Sequence, residues 1–213
     1  MDVSTIWYTF QDLVSRYGQV KELKLYQFNN YLQHADDELL AHYVELLGSK
    51  KPGSTEYERA LNTVDNFIVQ LGFANGASLQ DYYVKILGDG WTSGGIKVEW
   101  ISPEEYSHRK SCSLTAPSSK YPVFFTKGNQ FYIEGGATVN VHVIKQNTGV
   151  EKPLLVLKEE NDVNVYDSVN SVQLKWPEYM YPKIIMYMLK YVGISVGDEG
   201  IIVQSLNERQ NAA

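Results

Sequence analysis

The 213-residue chain holds a single cysteine, Cys112, so an internal disulfide framework is excluded. A lone thiol fits a reducing compartment, where it is expected as a small buried or half-buried side chain. The longest tight apolar run, IIMYML at residues 184–189, is bracketed by Lys183 and Lys190 and is far too short to cross a bilayer, so no membrane partner is expected. The opening MDVSTIWYTFQDLV starts acidic and lacks a basic region followed by an apolar core, so it does not read as a secretory signal. Basic clusters are also missing. With 19 Lys and Arg against 25 Asp and Glu the net charge is −6, and no stretch would neutralise a run of phosphates.

Motifs that carry chemistry are scarce. The nucleophile elbow G-x-S-x-G, the P-loop and H-E-x-x-H are absent, and the glycine-rich loop at 88–95 leads into an expected strand, where a phosphate cradle needs a helix N-terminus. His34, Glu38 and His42 stand four residues apart on one helical stripe, but no further ligand is fixed by spacing, and a solvated helix flank is the expectation. The acids and amides of 159–167 lack the glycine and terminal glutamate of an EF-hand and read as a polar turn between strands. Ser107-His-Arg-Lys110 matches the S-x-x-K of serine acylases without its companion motifs. Cys112 has no histidine placed beside it by a recognisable motif. The expectation is therefore a protein that is not an enzyme, with no catalytic residue, metal or cofactor assigned.

What is present is tyrosine and periodicity. Sixteen Tyr against seven Phe suits surfaces that are partly buried and partly wet, as interfaces are. A chain of this length buries roughly 70% of its unfolded surface and needs no staple. Residues 1–90 read as helical: a first helix over 4–17, a second over 25–47 on the stripe Phe28, Leu32, Ala35, Leu39, Tyr43 and Leu46, and a third over 55–71 opened by a Thr55/Glu58 capping box. A short helix over 78–87 is a further expectation. From 91 to 176 the period moves towards two, predicting strands in 96–102, 139–145, 153–159 and 171–176. Ser102 as cap, Pro103 as first residue and Glu105 reaching back predict a helix over 103–111 within that region. Residues 177–213 return to helix, over 177–193 and 197–210. The fold class is α+β: a helical bundle from the N- and C-terminal segments with an inserted antiparallel β-rich domain.

YPVFFTKGNQFYIEGG, residues 121–136, predicts a hairpin turning at Gly128-Asn129, with Lys127 opposite Gln130. That register puts Phe124, Thr126, Phe131 and Ile133 on one face and Val123, Phe125, Tyr132 and Glu134 on the other. Both faces are largely apolar, so both should be covered, by the chain's own domain, by a neighbouring subunit, or by one of each.

The order of segments resembles one group of proteins. A helical start with FNNYLQHADDELLAHY is followed by the Ser102–Tyr106 helix, a Pro117–Pro122 lead into the aromatic hairpin, the strand Val139–Lys145, and a helical end beginning at Pro177–Ile185. This is similar to the head-to-tail connector (adaptor or ring) proteins of tailed bacteriophages, of the kind in short-tailed and crAss-like phages. The resemblance implies a structural virion protein in a homo-oligomeric ring of about twelve copies. It would sit below the portal protein, contact further ring or tail proteins, and line a conduit through which genomic DNA passes without specific binding. Localisation would be the virion, with host cytoplasm during assembly. Under this reading Phe124, Phe125, Phe131, Tyr132 and Ile133 form the subunit interface, and Ile201, Ile202 and Leu206 the portal interface. The alternatives are another phage layer (tail hub, head-completion or decoration protein), or a bacterial binding module or hydrolase with a pocket near Tyr106, His108 or His142.

Overall fold

The computed structural model describes residues 2–17, 23–79, 83–136, 138–160, 163–194 and 199–212. The chain forms two compact units: residues 1–66 together with 147–213, and residues 67–146. The fold is α+β, with helices from both chain segments enclosing an inserted β unit in the sequence, as expected.

The helical unit begins with α1 (Val3–Tyr17), α2 (Leu25–Ser49) and α3 (Thr55–Thr63), and ends with α5 (Tyr181–Tyr191) and α6 (Glu199–Ala212). The apolar stripes read from sequence face inward: Ile6, Phe10 and Leu13 of α1 and Phe28, Leu32 and Leu39 of α2 are fully buried, as are Ile184 and Met188 of α5. Trp7 meets the edge of Phe28 with ring centroids 4.9 Å apart, which fixes the α1–α2 approach. The cap of α3 is Ser54, one residue before the predicted Thr55. Its hydroxyl accepts from the Tyr57 N–H at 3.3 Å.

The helix expected over 55–71 stops at Thr63, and Ile68–Ala74 is strand β1. Those residues satisfy a helical period, but Val69, Leu71 and Phe73 also satisfy a period of two, and these are the side chains that reach the β core. β7 (Thr138–Lys145) decides between them, because it pairs with β1 along all seven residues, Ile68 opposite Ile144 through Ala74 opposite Thr138. A long-range ladder outweighs local helical propensity here. Nor do the described residues of 78–87 form the expected helix. Ala77–Ser78 is the short strand β2, Tyr83–Trp91 is β3, and residues 80–82 lie outside the described residues. β3 runs through glycines taken from sequence as a loop because Gly90 lies directly over β7, where a Cβ would collide with Val139 and Val141.

The β unit is completed by β4 (Lys97–Trp100), helix α4 (Pro103–Ser111), β5 (Val123–Lys127) and β6 (Gln130–Glu134). The sheet order is β1-β7-β3-β4-β5-β6-β2. β2 follows β1 after the Asn75-Gly76 turn, so the first and last strands of the sheet are joined by two residues and the sheet curls back on itself. Gly76 N–H and Phe131 C=O, and Ile133 N–H and Asn75 Oδ1, close that seam at 2.8 and 3.0 Å. β4 and β5, on either side of α4, run parallel, and the other pairs of this sheet are antiparallel.

Residues 147–176 were expected to extend the β-rich domain to 176; they belong with the helical unit instead. Among the described residues there, β8 (Leu157–Glu160) and β9 (Val163–Tyr166) form a ribbon, and the strand predicted over 171–176 reduces to a single bridge between Leu154 and Val172. The reason lies in side chains of α2. Asn29 pairs with the backbone of Leu155, Gln33 Nε2 donates to the Pro153 carbonyl at 3.2 Å, and Asp36 receives both Asn147 and Trp176. The boundaries expected at 90 and 176 accordingly fall at 66 and 146.

Candidate functional site

The hairpin forms in the predicted register, from Val123 opposite Glu134 to Lys127 opposite Gln130. One face packs into the β core, where Phe124 stacks on Phe131 at 4.9 Å and Phe131 on Phe73 at 4.8 Å. The other face is covered by α4: Tyr106 stacks on Phe125 at 4.6 Å and Phe125 on Tyr132 at 5.3 Å, around Ile101 and Val123. Both faces are thus covered by the chain itself. This corrects the interface assignment, since Phe124, Phe125, Phe131 and Ile133 are buried within their own unit and Tyr132 is half-buried. Sequence reasoning missed that a nine-residue polar helix, with Tyr106 as its one aromatic, was available as the lid.

Ile202 and Leu206 of α6 are also core residues, buried in a helix that packs on α1 and α5. Of the residues assigned to a portal contact only Ile201 faces solvent, together with its neighbour Val203.

The candidate chemical motifs separate in space. Glu38 accepts the Tyr191 hydroxyl at 2.6 Å and Lys190 Nζ at 2.9 Å, which hold its carboxyl below the usual range, while burial and the Glu38 carboxylate push Tyr191 up to about 12. His34 lies against the Tyr191 ring, so His34 and Glu38 dock α5 onto α2, while His42 meets only its α2 neighbour Tyr43. Ser107 donates to the Pro103 carbonyl and Lys110 to the Tyr106 hydroxyl; neither turns to the other. Cys112 is exposed, contrary to the buried position expected, because it ends α4 at the start of a solvated loop. Its thiol is lowered by the Thr115 hydroxyl and by the backbone N–H groups of Leu114 and Thr115. Around 159–167, Asp167 caps the following turn through Val169 and Asn170, and residues 161–162 lie outside the described residues. Among the described residues no group of three or more His, Cys, Asp or Glu is placed to hold a metal ion. No described helix is long and apolar enough to cross a membrane.

The pocket expected near Tyr106, His108 or His142 is not formed by them. Tyr106 is part of the hairpin lid, and His142 meets Trp91 edge-on at 6.0 Å. A cleft of about 430 Å³ in the β unit opens instead beside β4 and the lead into β5. Its floor is a charge-paired lattice. Arg109 NH1 and NH2 reach the two oxygens of Glu99 at 2.6 and 3.0 Å, and the same guanidinium also holds Glu105. The two carboxylates push the guanidinium pKa still further up, and Glu99 is held low by Arg109. Glu105, expected to reach back to the start of α4, is drawn forward to Arg109 instead; Ser102 caps the helix alone, accepting from the Glu105 N–H at 3.1 Å. Nearby, Asp89 takes Lys97 Nζ at 2.7 Å and the Trp100 N–H at 2.9 Å, and these outweigh its partial burial to lower its carboxyl. The signal for this site, Asp89 through Arg109, was split in sequence between a loop, a strand and a helix.

Comparison with models of protein families finds no match, and neither does comparison with curated proteins.

Proposed function

We propose that this chain is a structural, non-enzymatic subunit of a tailed-bacteriophage virion, assembled as a ring below the portal in the head-to-tail connector. The observation that carries the reading is the segment order, in which a helical unit built from both parts of the chain brackets a β unit holding the S-P-E-E-Y helix and the aromatic hairpin. The surface supports it. Tyr17, Tyr26 and Tyr179 of the helical unit are 55%, 60% and 64% exposed, and tyrosine in such numbers outside a core suits contacts that are wet and re-formed on assembly. The net charge of −6 suits a conduit wall that repels the DNA backbone and lets it slide.

Because the hairpin is internal to each copy, lateral contacts in the ring are assigned to the exposed tyrosines of the helical unit. The portal contact is assigned to α6, where the exposed Ile201 and Val203 flank the buried stripe on its two sides. Further ring or tail proteins would meet the remaining surface. Cross-linking mass spectrometry on assembled particles, or on a mixture co-expressed with a portal protein, tests this. Links from Lys175, Lys183 or Lys190 to portal, with self-links between copies, are expected. Links only to capsid or distal tail proteins would move the protein to another layer, and a monomer with no links would overturn the reading.

A further inference from the structure

β4 ends before the strands on either side of it do. Among the described residues β3 pairs with β4 only at Gly90 and Trp91, while its stretch from Tyr83 to Leu87 is paired on one side alone, with β7. β5 meets β4 at Val123 and Phe124, and from Phe125 to Lys127 it has only β6 beside it. The Ile101 N–H donates to the Phe124 carbonyl at 3.0 Å, and after it the chain turns away into α4. β4 holds β3 and β5 two strand spacings apart, about 9.5 Å, so a break one strand wide continues past its end.

Backbone groups point into that break. Because Lys127 and Gln130 close a two-residue turn, the hydrogen-bonded rungs of the hairpin fall at Lys127–Gln130, Phe125–Tyr132 and Val123–Glu134. Phe124 and Thr126 therefore present N–H and C=O to the other side, as the bond from Ile101 to the Phe124 carbonyl bears out. Thr126, two residues on, has no backbone partner there among the described residues.

The break opens as a groove of about 230 Å³ walled by Tyr83, Ile86, Trp100 and Thr126 among others. Tyr83 and Ile86 pack against the β core, which makes the floor apolar. Trp100 lies beside the buried Phe124 yet is 48% exposed, because no strand continues on from β4. Lys85 is the only charged side chain among the described residues of the wall. It makes no hydrogen bond or ion pair with any of them, and burial lowers its amine. As the neighbour of Ile86 along β3 it stands on the opposite, outer face.

The groove thus asks for three things: backbone to pair with, apolar side chains for the floor, and a negative charge for Lys85. An inorganic anion supplies only the last, and an apolar molecule would strip more water from an uncompensated ammonium. A small carboxylate with an apolar tail meets two demands and leaves the strand edges unpaired. An extended peptide meets all three, since alternate side chains of a strand point to opposite faces. We infer that the break between β3 and β5 is a docking site for an extended segment of a neighbouring protein, added as a strand, with apolar residues turned to the floor and an acidic residue between them turned to Lys85.

The test is fluorescence anisotropy of the full chain with labelled Thr-Val-Glu-Val-Glu-Val-Thr. The comparison probes are the same peptide with Lys in place of Glu, the Glu peptide N-methylated at its three central residues, and octanoate as competitor. The Glu peptide should bind saturably, the Lys peptide roughly tenfold or more weaker, and the N-methylated peptide not at all. Amide hydrogen exchange should show new protection at Thr126 and along β3. Lys85→Glu should reverse the order of the Glu and Lys peptides, whereas Lys51→Glu, at an exposed position of the helical unit, should leave it unchanged. Thermal melts establish that each variant folds; if Lys85→Glu does not, Lys85→Gln carries the comparison and should bring the two peptides level. Failure of the Glu peptide to bind, equal binding of its N-methylated form, an order that Lys85 variants do not move, or displacement of the peptide by octanoate at lower concentration than unlabelled peptide would overturn the assignment. Since no portal protein is present in this experiment, its failure leaves the connector reading standing.

Discussion

Asn29 and Leu155 pair as two strand residues would. The Asn29 amide donates from Nδ2 to the Leu155 carbonyl at 3.0 Å, and the Leu155 N–H donates to Asn29 Oδ1 at 2.8 Å, with both residues in the interior. A helix side chain thus stands in for a missing strand and ties the irregular segment 147–176 to α2. Asn29→Ala would leave a buried donor and a buried acceptor unmatched, and should cost about 2–4 kcal/mol. Urea unfolding of the variant measures this. A loss below about 0.5 kcal/mol would mean that water replaces the amide without penalty.

Two turns further along α2, Asp36 is 2% exposed and receives Trp176 Nε1 at 2.7 Å and Asn147 Nδ2 at 3.1 Å. Burial raises its carboxyl, although both hydrogen bonds work in the opposite direction. A carboxyl raised on folding binds more protons in the native state, so its contribution is fully present below its unfolded value and is lost as pH rises through the folded value. The stability difference between wild type and Asp36→Asn should therefore shift in favour of wild type as pH falls from neutral towards 4. Paired chemical denaturation curves across that range read the sign. A difference that is flat, or that moves the other way, contradicts the assignment.

How much of this was legible beforehand depends on which interactions are local. The stripes of α1, α2 and α5, the Ser102-Pro103 start of α4 and the whole hairpin register follow from spacing and turn chemistry within a few residues. β1 does not, because Ile68–Ala74 satisfies both periods and only β7, some seventy residues on, chooses between them. The segment 147–176 is decided by Asn29, Gln33 and Asp36, polar residues that a stripe of apolar positions passes over. The same blindness misassigned the hairpin: two apolar faces correctly demanded two covers, and the second cover was α4, whose inward residue Tyr106 is a single aromatic in an otherwise polar helix.

Gly135 and Gly95 separate backbone strain from crowding. Both have positive φ, 81° and 78°, but a Cβ at Gly135 would strike the Ser118 backbone carbonyl, whereas Gly95 has open space around it. Gly95→Ala should cost about 1–2 kcal/mol, the left-handed penalty alone. Gly135→Ala should cost upwards of ~3 kcal/mol, since the lead into β5 must also move. Equal losses in thermal or urea melts would mean that the Ser118 loop yields freely.

On α6, inward and outward residues have separate consequences. Leu206→Ala should destabilise the chain by about 2–4 kcal/mol, and truncation after Gly197 should do more, because Ile202 and Leu206 are core. Loss of portal binding in that truncation would therefore report unfolding. Ile201→Glu with Val203→Glu should leave the melting temperature nearly unchanged and abolish portal binding. Intact binding by this folded double variant would remove α6 from the interface.

The central claim is that this chain is a ring subunit below a portal, and the most direct measurement is the mass of the particle it forms. Mass photometry of the chain alone and after co-expression with its cognate portal should give, in the second case, a portal complex heavier by a multiple of 24.2 kDa that matches the portal's rotational symmetry. A portal of unchanged mass beside a chain that stays monomeric would contradict it.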